Sequence, residues 1–150
     1  MMRHDYYLIS MSSLAEEDLN SLSKEILQLD YSIRFIGIAN NLGSLVATAY
    51  RNGLTPLMDK QETSHYAIQA VLRAATREDF ESKIGTLVYS IGKYERLIRA
   101  TIPIRLFGKK DNGSKFYYLL LSFDLNSNVM DVIENKVMPF IIQKNKEQKL

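Results

Sequence analysis

The chain of 150 residues has no cysteine, 3 prolines and 7 glycines. Without cysteine, disulfide staples, thiolate zinc sites, iron–sulfur clusters and thiol nucleophiles are excluded. Long apolar runs are missing too. Residues Met1 to Ile9 lack the apolar stretch of a signal peptide, and no later run approaches the roughly 20 residues of a membrane span. An excess of either charge is also lacking: 19 Lys+Arg against 17 Asp+Glu leave a formal charge of +2. That balance gives no electrostatic footprint for nucleic acid or an anionic membrane. The expectation is a cytoplasmic protein that binds neither.

Motifs of known chemistry are equally scarce. No Gly-x-x-x-x-Gly-Lys-Ser/Thr string and no Gly-x-Ser-x-Gly elbow occurs. Of the two histidines, His4 lies in the terminal stretch and His65 has no histidine or carboxylate one helical turn on, so a converging metal set is not expected. Asp124 to Asn128 imitates the start of a calcium loop. Val129 stands where that loop needs glycine and Asn135 where it needs a bidentate glutamate, so a turn leading to a helix cap is the simpler reading. Neither cofactor nor metal is expected, and no catalytic residue is assigned. An enzyme with a site assembled from scattered residues stays open as a third reading.

What is present is an ordinary globular composition, 46% hydrophobic and 24% charged, in a chain the length of one domain. Residues 1–12 read as a loose N-terminal extension, with Met11 an alternative start. Residues 13–142 read as a single α+β domain and 143–150 as a polar C-terminal tail that frays. A first helix spans Ser13 to Leu29, with Leu19, Leu22, Ile26 and Leu29 on one stripe and Ser13 with Glu16 as a capping box. Strands Tyr31–Ala39 and Ser44–Arg51 flank the turn Asn40-Asn41-Leu42-Gly43. A second helix follows Asp59, capped with Glu62, runs to Ala75 and continues after a break to Lys83. Three strands come next, Thr86–Ile91, Arg96–Phe107 and Lys115–Phe123, the first pair turned by Gly92-Lys93. In the fourth strand Ile98, Ala100, Ile102, Ile104 and Leu106 alternate with Arg99, Thr101, Pro103 and Arg105, which predicts one buried and one solvent face, with a bulge or an unpaired stretch at Pro103. Tyr117 to Leu121 is apolar on both faces and predicts a central strand. A third helix carries Met130, Ile133 and Val137, and Pro139 should kink or end it.

The order α-β-β-α-β-β-β-α implies one five-stranded antiparallel sheet. It resembles the roadblock and longin group of profilin-like folds, in which the terminal helices share one face of the sheet, and it equally resembles PAS sensor domains. The pieces Ile33 to Ile38, Arg51-Asn52-Gly53-Leu54-Thr55-Pro56-Leu57 and Tyr94 to Pro103 resemble an archaeal family common in thaumarchaea. That likeness implies a source and a fold and carries no activity.

Two surfaces stand out. On the second helix Ala67, Ala70, Val71 and Ala74 form a small-residue face suited to lying on the sheet, while Ile68, Leu72 and Ala75 widen the apolar arc beyond one sheet contact. With Leu87 and Tyr89 of the next strand, those three make a candidate dimer interface. Arg99 and Arg105, joined by Arg34, make a candidate face for an anion or an acidic partner, against the plainer reading of a solvated face that resists edge pairing. The leading expectation is a non-catalytic roadblock-type module, a homodimer scaffolding a protein partner; fold resemblance alone points to a small GTPase as that partner. The alternative is a PAS-like sensor holding a small ligand between sheet and helix.

Overall fold

Five strands form one antiparallel sheet in the computed structural model, which describes residues 17–107 and 114–149. They are β1 (Ile33–Ala39), β2 (Leu45–Tyr50), β3 (Ser90–Lys93), β4 (Ile98–Phe107) and β5 (Ser114–Phe123), in the spatial order β2-β1-β5-β4-β3. The strand with apolar residues on both faces, β5, takes the centre, where Leu119, Leu120 and Leu121 are fully buried. It pairs Leu121 with Ile36 of β1 on one side and with Ala100 of β4 on the other. The β1–β2 turn is closed by Asn40, whose side-chain oxygen accepts from the N–H groups of Leu42 and Ser44. Gly43 holds φ at 86° there, and a Cβ on it would stand 2.8 Å from the backbone of Ile68, so the turn tolerates only glycine.

Helices cover both faces. Helix α1 (residues 17–27) lies on one face with the C-terminal helical run. That run consists of α4 (Val129–Val132), a π-turn (Ile133–Val137) and α5 (Met138–Lys149). Ile26, Ile133 and Val137 meet Ile36, Ile38, Leu119, Leu121 and Phe123 in this larger core. Each such side chain, fully buried, contributes about 1.5–3 kcal/mol. Helix α2 (Lys60–Arg77) lies on the other face and lays Ala67, Ala70, Val71 and Ala74 against Ala39, Tyr118 and Leu120. The small side chains let its backbone come close. Its start is the expected capping box: Asp59 Oδ1 accepts from the Glu62 N–H at 2.8 Å, and Glu62 Oε1 accepts from the Asp59 N–H at 3.1 Å. A 3₁₀ turn (Glu78–Phe80) and the short α3 (Glu81–Ile84) then lead over to β3.

Four expectations meet a different outcome for identifiable reasons. The fourth strand has no solvent face at its start, because α2 lies over it; Thr101 is buried and Arg99 half-buried. The third strand is Ser90–Lys93 rather than Thr86–Ile91, so Gly92 and Lys93 are paired and the turn falls on Tyr94 to Leu97, closed by Tyr94 N–H to Leu97 C=O at 2.9 Å. Its ladder stops at Thr101, short of Pro103, which has no N–H to offer; Pro103 keeps its register with Tyr118 of β5, so the break is an unpaired stretch on the β3 side and not a bulge. Pro139 does not end the last helix: the π-turn before it loosens the backbone where the ring would clash with the preceding turn. The residues from Gln143 on, expected to fray as a tail, continue α5 to Lys149. Lys144 there pairs with Glu25 of α1, and the Asn145 amide bonds the Arg105 carbonyl at 2.8 Å. Ser13, Glu16, His4 and residues 1–12 lie outside the described residues.

Candidate functional site

The edge of the sheet at β3 and the adjoining α2 and α3 carry apolar side chains that the described residues leave uncovered. Leu72 stands on the crest of α2 at 61% exposure, and Ile68, at 45%, leans over the β1–β2 turn against Gly43. Ala75 is exposed as well. The other two expected interface residues turn inward to opposite faces of the sheet. Leu87 packs on the α2-side core, whereas Tyr89 packs on the larger core and donates its hydroxyl to Glu134 Oε1 at 2.7 Å. In their place the chain exposes Ile84 at 84% and Val88 at 55%, with Phe80 and Ile91 beside them. Sequence reasoning missed these four. The signal was there in an apolar pair, Phe80 and Ile84, placed one turn apart in a helical stretch with no apolar partner face.

Of the three arginines, Arg34 and Arg99 line one pocket and Arg105 stands elsewhere. Arg34 and Arg51 both bind Asp124 at the end of β5. Arg51 makes a two-pronged contact, Nη1 to Oδ2 at 2.7 Å and Nη2 to Oδ1 at 3.1 Å, and Arg34 Nη1 reaches Oδ1 at 3.1 Å. Arg51 also donates to the Tyr31 carbonyl at 2.7 Å. The Arg51 contact, then that of Arg34, holds the Asp124 carboxyl below its ordinary range, against an opposing effect of burial. This one carboxylate ties the ends of β2, β1 and β5. Asn128 caps the following helix, so the calcium-like stretch serves as turn and cap. Arg105 is exposed near the ring of Phe116.

Arg99 lies in a pocket beneath the β2–α2 loop. Its guanidinium lies 3.7 Å from the ring centre of Tyr66 and 5.6 Å from that of Tyr94, and Nη2 donates to the Met58 sulfur at 3.2 Å. Burial pushes the Tyr66 hydroxyl up from its ordinary range. The pocket also takes in Arg34, Thr63 and Ser122 but, among the described residues, neither a histidine nor a carboxylate. His65 lies outside it, exposed on α2 with its Nε2 3.1 Å from Gln69. Among the described residues no three His, Asp or Glu side chains converge on a metal position. No helix among them is long and apolar enough to cross a membrane.

No protein-family model matches the chain, and no curated protein matches it in sequence. Solved structures do match in fold. A gliding protein MglB from Thermus thermophilus superposes with a TM-score of 0.58 at 15% identity, covering 85% of this chain and 82% of that one. An MglB described as having a tetrameric arrangement gives 0.62 at 14% identity over 88% and 90%. A Roadblock/LC7 domain from Streptomyces avermitilis gives 0.57 at 10% identity over 82% and 97%. The chain therefore has the roadblock type of α+β fold.

Proposed function

We propose that this chain is a non-catalytic, roadblock-type interaction module of the cytoplasm, which works as a homodimer and presents a scaffold to a protein partner. The observation that supports this is the open backbone edge of β3, with Ile91 exposed on that strand, Ile84 and Val88 exposed in the chain leading to it, and Leu72 exposed on α2. A protected edge carries charge or proline; here Lys93 is the sole charged residue of the strand. Two β3 edges meeting across a two-fold axis would extend one sheet through both copies and bring their α2 crests together. A lasting contact of this kind buries more than about 1,000 Å². The tetrameric arrangement named for one MglB lends support to self-association in this fold. A small GTPase as partner rests on fold analogy alone.

Sedimentation tests the reading. Wild type should run as a dimer at micromolar concentration. Leu72→Glu and Ile91→Lys replace exposed side chains, should change folding stability by no more than about 0.5 kcal/mol, and should run as folded monomers. A monomeric wild type, or dimers that persist in both variants, would overturn it.

A further inference from the structure

The sheet has a second edge, at β2. That strand pairs with β1 alone, and the bond from the Arg51 N–H to the Arg34 carbonyl fixes which way its backbone groups turn. Direction alternates along an antiparallel ladder, so the N–H and C=O groups of Thr48 and Tyr50 point away from β1. Among the described residues nothing pairs with them. No residue from Leu45 to Tyr50 is charged or proline, so the edge carries nothing to discourage a partner. A groove of about 760 Å³ runs along it, within the roughly 300–1,000 Å³ of binding clefts. Val46, Thr48 and Tyr50 of the strand line it, together with Leu57 and Met58 of the β2–α2 loop and Asn20 of α1.

We propose that residues Tyr6 to Met11 of this same chain occupy the groove as a sixth strand, antiparallel to β2. Asn20 puts the first turn of α1 on the groove wall, so the chain that precedes α1 sets out from beside the edge. Residues 28–32 join α1 directly to β1, so the helix runs back along β1 and its first turn stands near the beginning of β2. A segment leading into that turn runs antiparallel to β2. From Met11 to residue 17 the extended chain spans about 20 Å, close to the length of β2 itself, so the segment reaches the whole edge. Tyr6-Tyr7-Leu8-Ile9-Ser10-Met11 is as long as β2, is rich in strand-forming side chains, and has no charge, glycine or proline. The short tether also gives it a millimolar effective concentration, which a free peptide of another protein would have to match. This edge lies opposite β3, so the proposal and the association reading stand or fall separately.

The test is amide hydrogen exchange of the full chain, read by nuclear magnetic resonance at Thr48 and Tyr50, with the Ala47 and Ala49 amides on the β1 side as internal reference. Thr48 and Tyr50 should exchange more slowly, by about tenfold or more, in the full chain than in a chain that starts at Ser12; tenfold is the worth of one net hydrogen bond. Ala47 and Ala49 should stay protected in both. A synthetic peptide of residues 3–12 added to the shortened chain should restore the protection saturably. Leu8→Pro in the full chain, which removes one N–H and breaks the strand, should lose it again. Equal exchange at Thr48 and Tyr50 in the full and shortened chains overturns the proposal. So does protection that fades on dilution, which would assign the edge to a second copy. Exchange of the two wild-type amides at the rate of an open amide overturns it even if neither variant folds.

Discussion

Replacing Asp124 by alanine removes the carboxylate that holds three strand ends together. It accepts three N–H bonds from two guanidiniums. Exposed ion pairs contribute about 0.2–1 kcal/mol, and breaking a buried one costs about 3–5 kcal/mol. The Asp124 side chain is 26% exposed, between those limits, so the expected loss is about 2 kcal/mol, including the repulsion of two arginines left facing each other. For a chain of this length that lowers the melting temperature by about 4–8 °C. The dependence on pH carries the sign of the mechanism. The folded-state pKa lies below the ordinary 3.8, so the contribution is complete above that value and disappears as pH falls through the lowered one. Asp124→Asn keeps the shape without the charge. Urea unfolding of wild type and Asp124→Asn should show a constant gap above about pH 5 that closes in acid. An Asp124→Ala loss under about 0.5 kcal/mol at neutral pH, or a gap indifferent to acid, would refute the clamp.

Ile102→Ala should cost about 2–5 kcal/mol in urea unfolding, since Ile102 is buried in the larger core. Arg99→Ala should cost about 1–2 kcal/mol through its lost contact with Tyr66, whereas Arg105→Ala should stay within about 0.5 kcal/mol; equal costs for the two arginines would place Arg99 in solvent after all. Asp59→Ala should lose about 1 kcal/mol with the capping box, and Asp59→Asn much less, read from the same unfolding curves.

Much of the fold was legible because it was written locally. The doubly apolar Tyr117 to Leu121, the Asp59–Glu62 cap and the small residues of α2 each report on their own neighbourhood and land where expected, whereas the alternation of Ile98 to Leu106 places its apolar half correctly and its solvent half only in part. What was not legible depends on distant chain. A period of two says that Arg99 and Ile98 face opposite ways, but not that a helix from about 30 residues upstream covers the arginine. The Arg34–Asp124 and Arg51–Asp124 contacts join residues 90 and 73 positions apart. The apolar letters of Thr86 to Tyr89 looked like strand, yet pairing there was decided by a proline on the neighbouring strand.

The pairing of β1 with β5 also sets a timetable. β1 is flanked on one side by its hairpin partner β2, available at once, and on the other by β5, with Ile36 opposite Leu121. During synthesis at about 5–20 residues per second, the hairpin waits several seconds for the strand that completes the middle of the sheet. Until then Ile36 and Ile38 have no lasting cover, and the nascent chain is most exposed to wrong partners in that interval. Closing so long a loop before the contact forms also slows folding of the finished chain. A protein with its first strand bonded to its last is thus assembled from the flanks inward, and the middle of its sheet is the last part to become solid.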